Sequence, residues 1–77
     1  MQDSKMPIEY VLAENLIRLR KKRRMSQETM SRYSGLTIQG YREIEEERYV
    51  PTILVLIRLA KALNCSLDEL LPLNEIE

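Results

Sequence analysis

Residues 26–45 constrain the fold of this chain most strongly, because their sequence predicts two short helices joined by a tight turn. Ser26 and Thr37 each stand where a helix should begin, since a short side-chain hydroxyl can accept a hydrogen bond from the free amides of a first helical turn. Gly35 lies between the two helices, where the chain must take a positive φ to end one helix before the next begins.

The apolar residues of this segment are spaced so that one face of each helix can share a core. They are Met30, Leu36, Tyr41 and Ile44. This spacing leaves a mainly polar set of side chains pointing outward, namely Gln27, Ile38, Gln39, Arg42 and Glu43. A short polar second helix offered to solvent is what reading of the DNA major groove requires, so the segment predicts a DNA-binding helix-turn-helix.

The composition favours helices and a single domain that spans residues 1–77. Of the 77 residues, 44% are hydrophobic, none is Trp or Phe, three are Pro and two are Gly. These values indicate an aliphatic core and an all-α fold. A chain of this length buries only about 60% of the surface that its unfolded form exposes, so a partner subunit would add stability.

Several function classes are disfavoured by what the sequence lacks. It has one Cys, no His, no cluster of metal ligands and no Gly-rich phosphate loop, so we expect no metal, no cofactor and no enzymatic activity. Cys65 is predicted to be a small buried hydrophobe rather than a reactive thiol. No apolar run could span a bilayer and the N-terminus lacks a signal-peptide pattern, so we expect a cytoplasmic protein without a membrane segment.

Positive charge is concentrated in the middle of a chain whose net charge is zero. Residues 18–48 carry nine Lys or Arg against five Glu, whereas the segments on either side are each acidic by two. Six of the seven residues in 18–24 are cations, more than a favourable interaction with the helix dipole requires. We interpret Lys22, Arg23 and Arg24 as phosphate contacts beside the recognition helix; a solvated helix end is the alternative.

A cluster of four glutamates ends the second helix of the pair and would repel phosphate if all four faced DNA. The cluster comprises Glu43, Glu45, Glu46 and Glu47. At least one of them should therefore have a cation partner. We predict an ion pair between Arg20 and Glu45, because both positions lean inward.

Apolar spacing and capping residues predict three further helices. Helix one is expected over about residues 7–24, with Pro7 at its first position. Helix four is expected over residues 53–63, after an N-cap at Thr52. A short helix five follows a capping box that opens with Ser66.

Helix four is apolar on nearly all sides, which indicates either full burial or a second chain packed against it. Its inward face is predicted to consist of Ile53, Leu56, Leu59, Ala60 and Leu63. Three more apolar residues are assigned to a subunit or partner interface, namely Leu54, Val55 and Ile57. Leu73 and Ile76 in the tail of residues 72–77 are expected to dock either on the core or on the same partner.

Taken together, these motifs resemble the lambda-repressor-like, Cro-type helix-turn-helix family, also called the XRE family. The resemblance covers about residues 15–71, and residues 7–14 extend helix one in front of it. Four pieces carry it: Leu19-Arg20 with Met25-Ser26-Gln27-Glu28, Ser34-Gly35-Leu36-Thr37, Ile44-Glu45, and Pro51-Thr52 leading to residues 59–71. Each piece is weak alone, but their joint spacing is specific.

The resemblance implies a compact five-helix fold whose third helix enters the major groove of double-stranded DNA. It implies that bases are read by Ile38, Gln39, Arg42 and Glu43. It implies that Gln27 contacts a backbone phosphate and steadies the first side chain of the recognition helix, that Arg48 contacts phosphate, and that Arg20 and Glu45 form a structural ion pair. Thr37 is assigned to a phosphate contact as well. The sequence departs from the family pattern at Ser31, Gly40, Tyr41 and the pair Glu46-Glu47, which stands where the family usually has Asn-Gly.

We interpret the chain as a bacterial or phage-type transcriptional regulator, by default a repressor, that binds a palindromic operator as a homodimer. A second hypothesis is an antitoxin-like or adaptor module that holds a protein partner, such as a toxin or an anti-repressor, through helix four. Zero net charge and the surplus of apolar residues favour the second hypothesis, whereas the intact turn and the basic patch favour the first. The two hypotheses can both hold for one protein.

Overall fold

The computed structural model describes residues 5–77, and this part of the chain is helical with no extended strand. Its elements are α1 (Ile8–Lys22), α2 (Gln27–Ser34), α3 (Ile38–Glu45), α4 (Ile53–Ala62), α5 (Leu67–Leu70) and a single 3-10 turn (Leu73–Glu75). The predicted all-α, five-helix fold is confirmed. Within residues 5–77, every helix falls short of the length and apolarity needed to cross a membrane.

Side-chain hydroxyls cap four of the helices, as the sequence predicts. The Oγ of Ser26 and the Oγ1 of Thr37 each accept a hydrogen bond of 3.0 Å from an amide in the first turn of α2 and α3 respectively. Thr52 caps α4 in the same way at 3.4 Å, and Ser66 forms the predicted capping box with Glu69 at the start of α5. Because each cap satisfies an amide that the helix itself cannot, these residues fix where the helices begin.

The core lies between α1, α3 and α4 and is closed by α2 and α5. α3 packs on α1, and α2 packs on both α3 and α4. The core is formed by Leu12, Leu16, Leu19, Met30, Tyr41, Ile44, Leu56, Leu59, Ala60, Leu63 and Leu70. Tyr41 is the largest fully buried side chain, so α3 is anchored by its inner face and its other face is left for solvent.

The helices α1, α3 and α4 end in the same way, with one residue in the left-handed conformation. In these three loops that residue is not a glycine. These residues are Arg24 at 56°, Glu47 at 66° and Asn64 at 52°. In each loop the next amide donates a 3.0 Å hydrogen bond to a carbonyl five residues earlier. The same closure after α2 uses Gly35, at a φ of 80°. The left-handed residue ends the helix, which is why α1 stops at Lys22 instead of the predicted residue 24.

The exposed side of α4 differs from the prediction at two positions. Ile53 was expected to point inward, but its side chain is 59% exposed, and Val55 was assigned to an interface but packs against the core. The two residues flank the buried stripe on opposite sides, and the core extends toward the flank that Val55 shares with Ala62. Ile53, Leu54 and Ile57 therefore form the α4 apolar face, with Leu54 53% and Ile57 40% exposed.

The C-terminal tail returns to the segment that precedes α1. The amide of Met6 donates to the carbonyl of Glu75, the amide of Glu77 donates to the carbonyl of Met6, and both bonds are 2.9 Å long. Ile76 pairs with Met6 in a parallel bridge and is half-buried, whereas Leu73 is 78% exposed. The tail was predicted to dock on the core or on a partner, and Ile76 instead pairs with Met6, which is exposed and lies outside the core.

We expect Glu47→Gly to stabilise the protein. Glycine takes a positive φ without the cost of about 1–2 kcal/mol that an L side chain incurs, and its greater freedom in the unfolded chain offsets only part of this gain. A net gain of up to about 1 kcal/mol raises Tm by roughly 4–8 °C for a domain of this size.

Thermal unfolding followed by circular dichroism measures the change. Glu46→Gly is the matched control, because Glu46 has a φ of −90° and has no positive φ to relieve. An equal or lower Tm for Glu47→Gly than for the unmodified protein would contradict the expected relief.

Candidate nucleic-acid interface

The α3 helix is held on the core by contacts along its whole length. Thr37 caps its start, and Tyr41 and Ile44 are buried beneath it. The hydroxyl of Tyr49, from the following loop, donates a 3.0 Å hydrogen bond to the carbonyl of Gly40. A Cβ at Gly40 would lie 3.2 Å from Thr37 Oγ1 and 3.7 Å from that Tyr49 hydroxyl. Packing inside the protein therefore favours glycine at position 40, because a larger side chain would crowd Thr37.

A buried carboxylate, that of Glu45, joins α1, α2 and α3. Arg20 on α1 donates to it twice, from Nε at 2.7 Å and from Nη2 at 3.1 Å. Gln27 at the start of α2 donates from Nε2 at 2.8 Å, and the hydroxyl of Tyr41 donates to the same group. The ion pair of Arg20 and Glu45 predicted from the sequence is present, and the two further donors make it a network.

These contacts fix the charges of the network at neutral pH. Burial alone would raise the pKa of Glu45, but the hydrogen bonds from Arg20, Tyr41 and Gln27 outweigh it, and the pKa is lowered. Burial, reinforced by the hydrogen bond to Glu45, raises the pKa of Tyr41. The hydrogen bond with Glu45 likewise raises the pKa of Arg20. The carboxylate is therefore ionised, the phenol neutral and the guanidinium charged.

The outer face of α3 carries the four side chains that the sequence assigns to base reading. Gln39 and Arg42 are exposed, whereas Ile38 and Glu43 are half-buried. The Nε2 of Gln39 donates to the carboxylate of Glu43 one turn later, at 3.4 Å. The Nε of Arg42 donates to the Oε1 of Gln27 on α2, at 3.2 Å. The face is polar, close to the N-terminus of α2, and partly ordered by its own hydrogen bonds.

The residues assigned to phosphate contact fall into two groups. Lys22 and Arg24 are exposed at the end of α1, and no side-chain hydrogen bond or ion pair engages them within residues 5–77. Arg23, Arg48, Gln27 and Thr37 have partners in the protein, and the partner of Thr37 is the amide of Gly40. The Nε of Arg23 donates to the carbonyl of Leu63 at the end of α4, and the Nε of Arg48 lies 2.9 Å from a carboxylate oxygen of Glu46.

Of the contacts described above, sequence reasoning predicted only the ion pair of Arg20 with Glu45 and the cap at Thr37, and three of the others show why. Tyr41 and Glu45 are four residues apart on one helix, a spacing that could have indicated their hydrogen bond. The contact of Arg23 with Leu63 and that of Gln27 with Glu45 join distant parts of the chain, and no local pattern signals them.

Comparisons with known proteins agree with this geometry. The family model HTH_3, described as helix-turn-helix, matches residues 16–70. A solved structure, the restriction-modification controller protein C.AhdI from Aeromonas hydrophila, is similar at 27% sequence identity with a TM-score of 0.75, and the match covers 80% of this chain and 94% of that one. No curated protein sequence gives a significant match.

The Tyr41 hydroxyl should stabilise the protein only while Glu45 is ionised. Because the pKa of Glu45 is lowered in the folded state, its contribution to stability is complete above its unfolded pKa of about 4.3 and is lost as pH falls through the folded pKa. Tyr41→Phe removes one donor to the carboxylate and should cost about 1–3 kcal/mol at pH 7. This difference should shrink toward pH 3.

Urea unfolding of the protein and its variants between pH 7 and pH 3 measures the effect. Tyr49→Phe is the matched control, since the Tyr49 hydroxyl donates to a backbone carbonyl that does not titrate. If the cost of Tyr41→Phe is as independent of pH as that of Tyr49→Phe, the hydrogen bond does not depend on the charge of Glu45.

Proposed function

Because the chain belongs to the XRE-type helix-turn-helix family of DNA-binding transcriptional regulators, we propose that it represses a promoter by binding a palindromic operator as a homodimer in the cytoplasm. The observation that carries this proposal is the arrangement of α3, whose inner face is buried in the core and whose outer face presents mainly polar side chains to solvent. The similarity to a restriction-modification controller protein supports a regulatory role for this fold.

The side chains of α3 suit the edges of base pairs in the major groove. Gln39 can bond an adenine through its amide, Ile38 can contact a thymine methyl, and Glu43 can accept from a cytosine amino group. Arg42 can bond a base or a phosphate. In a two-fold symmetric dimer the two α3 helices would read half-sites about 10 base pairs apart.

Lys22 and Arg24 are the best supported phosphate contacts, because both are exposed and have no partner in residues 5–77. Thr37, which caps α3, and the amide end of α2 add neutral donors. Arg48 can contribute only by leaving its exposed ion pair with Glu46, which is weak enough to exchange for a phosphate. The direct electrostatic contribution therefore rests on few cations.

DNA binding should weaken with salt, but with a modest slope. Two cations in each subunit of a dimer neutralise about four phosphates, which predicts a slope of log K against log salt of roughly −4. Fluorescence anisotropy over a salt series, with random genomic duplex and with a pool enriched for binding, gives the slope and the preferred sequence. Enrichment of a palindrome supports the operator.

Lys22→Gln and Arg24→Gln in combination should reduce the slope by about four and weaken all sequences alike. Lys61→Gln, which removes an exposed cation from α4, is the matched control. The absence of binding at low salt would refute the proposed function.

The α4 apolar face supports a second copy of the chain as the partner. The side chains of Ile53, Leu54 and Ile57 are exposed next to one another. A chain this small buries little apolar surface by itself, so burying these three against a partner would add stability. Their burial against the same face of another copy satisfies the two-fold symmetry that a palindrome requires. Leu73, exposed in the tail, is the alternative contact.

We expect Leu54→Glu to convert a dimer into a monomer, because a charge would have to be buried at the contact. Leu73→Glu, with the same chemical change at another exposed leucine, should leave the mass unchanged. Light scattering coupled to size exclusion measures the mass. A monomeric Leu73→Glu beside a dimeric Leu54→Glu would assign the interface to the tail.

The exposed α4 apolar face also supports a second candidate, an antitoxin-like or adaptor module that binds a toxin or an anti-repressor. In that case the unmodified chain is a monomer in the same mass measurement, and the face is free for the other protein.

A further inference from the structure

An open groove between α2 and α4 carries two cations that are not paired with any carboxylate in residues 5–77. The groove has a volume of about 410 Å³ and is lined by Tyr33, Arg58, Lys61 and Ala62. We propose that this α2–α4 groove binds an acidic segment of another protein through its two cations and the ring of Tyr33. The groove shares no residue with the outer face of α3 or with the α4 apolar face, so the inference does not depend on the proposed function.

The two cations of the α2–α4 groove are available to a carboxylate. Arg58 and Lys61 are exposed, and neither has a hydrogen bond or an ion pair in the described part of the chain. They are three residues apart on α4, so their side chains are neighbours, with Cβ atoms roughly 5–6 Å apart. The α4 helix contains no Asp or Glu. An anionic segment would therefore meet two cations with no competing carboxylate on the same helix.

The position of Arg58 depends on the turn between α2 and α3. A Cβ built on Gly35 would lie 3.0 Å from the Nη1 of Arg58, so the guanidinium lies over this turn. Gly35 is needed there for its φ of 80°, and its lack of a side chain also leaves room for Arg58. A guanidinium at the mouth of a groove can bond a carboxylate through two parallel hydrogen bonds, which a single ammonium cannot do.

The α2 side of the groove is aromatic. Tyr33, in the last turn of α2, is 62% exposed, and it has no hydrogen bond to any residue from 5 to 77. Ala62 lines the same groove and packs against the core from its other side. An exposed ring beside two cations matches a segment in which an apolar side chain stands next to carboxylates.

A peptide suits this groove better than duplex DNA does. The bases of a duplex are stacked inside it, so its phosphate backbone brings charge but little apolar surface to the ring of Tyr33. Tyr33 also lies six residues beyond Gln27, which is about 9 Å along the axis of α2. The amide end of α2, where Gln27 lies, is the end that favours a phosphate.

The experiment titrates isotope-labelled protein with a synthetic peptide of repeated Glu-Glu-Leu and follows the backbone amide signals by NMR. We expect the signals of the groove residues to move, and the Kd to rise with salt because exposed charges are screened. Peptides of repeated Gln-Gln-Leu and of repeated Glu-Glu-Ser lack the charge and the apolar side chain respectively. Each of them should bind more weakly.

Arg58→Gln combined with Lys61→Gln should raise the Kd of the Glu-Glu-Leu peptide by roughly 2- to 30-fold, the range for two exposed ion pairs. The matched control is Arg18→Gln combined with Lys21→Gln, which removes the same two cation types at the same spacing from the exposed side of α1. This control should leave the Kd unchanged. Tyr33→Ser should raise the Kd at every salt concentration, because it removes apolar contact and no charge.

Several results would overturn the inference. Signals that move at the end of α1 or at Leu54 in the α4 apolar face, and not in the groove, would place the peptide elsewhere. Equal affinity for the Glu-Glu-Leu and Gln-Gln-Leu peptides, or no movement of groove signals at low salt, would show that the groove does not select acidic segments.

Two further measurements on the Arg58→Gln, Lys61→Gln variant exclude other occupants. A lower mass by light scattering than that of the unmodified protein would assign the groove to a second copy of the chain. A smaller salt slope of DNA binding would assign it to a phosphate. We expect neither change. Failure of the proposed function would appear in the DNA titrations alone and would leave the peptide titration as it is.

Discussion

The buried carboxylate of Glu45 is the group on which the arrangement of the three helices depends. It lies on α3, yet its donors come from α1, α2 and α3, so the charge is satisfied only when all three helices are in place. A buried charge that loses a partner is costly, whereas one that is fully bonded penalises every alternative packing that would leave it unpaired. The apolar core supplies the attraction between the helices. The buried carboxylate of Glu45 favours the one arrangement of α1, α2 and α3 in which all its donors reach it.

Much of this structure could be predicted from local sequence. Helix caps and turn glycines act on residues close to them in the sequence, so they can be identified without knowledge of the fold. Here they are the hydroxyls of Ser26, Thr37, Thr52 and Ser66 and the positive φ of Gly35. The ion pair of Arg20 and Glu45 was within reach because both residues sit at inward positions and their charges are opposite. The family resemblance supplied the rest of the topology, which local patterns do not contain.

The sequence could not show which side of a helix's buried stripe is covered by neighbouring helices. Ile53 and Val55 are both apolar and both lie beside the buried stripe of α4, and only the packing of the neighbouring helices shows that Val55 is covered and Ile53 is not. Arg23 illustrates the same limit. Its charge and position suit a phosphate contact, and nothing in the sequence indicates that its Nε also donates a hydrogen bond to the carbonyl of Leu63 just after α4.

The acidic cluster at the end of α3 is less opposed to DNA binding than its formal charge implies. Glu45 is buried and neutralised by Arg20, and Glu46 is paired with Arg48, so the carboxylates do not all confront a phosphate backbone. The same pairing also withdraws cations, since Arg20 and Arg48 are engaged by these glutamates. A chain with zero net charge gains less from nonspecific phosphate neutralisation than a strongly basic one. Phosphate contacts carry no direct sequence information, so discrimination between sequences depends on the groove of the DNA, where hydrogen bonds and shape vary with the bases. Ordering of the α3 side chains before binding matters more for such a protein than for a strongly basic one, because weak electrostatic attraction leaves less affinity to compensate for conformational freedom lost on the DNA.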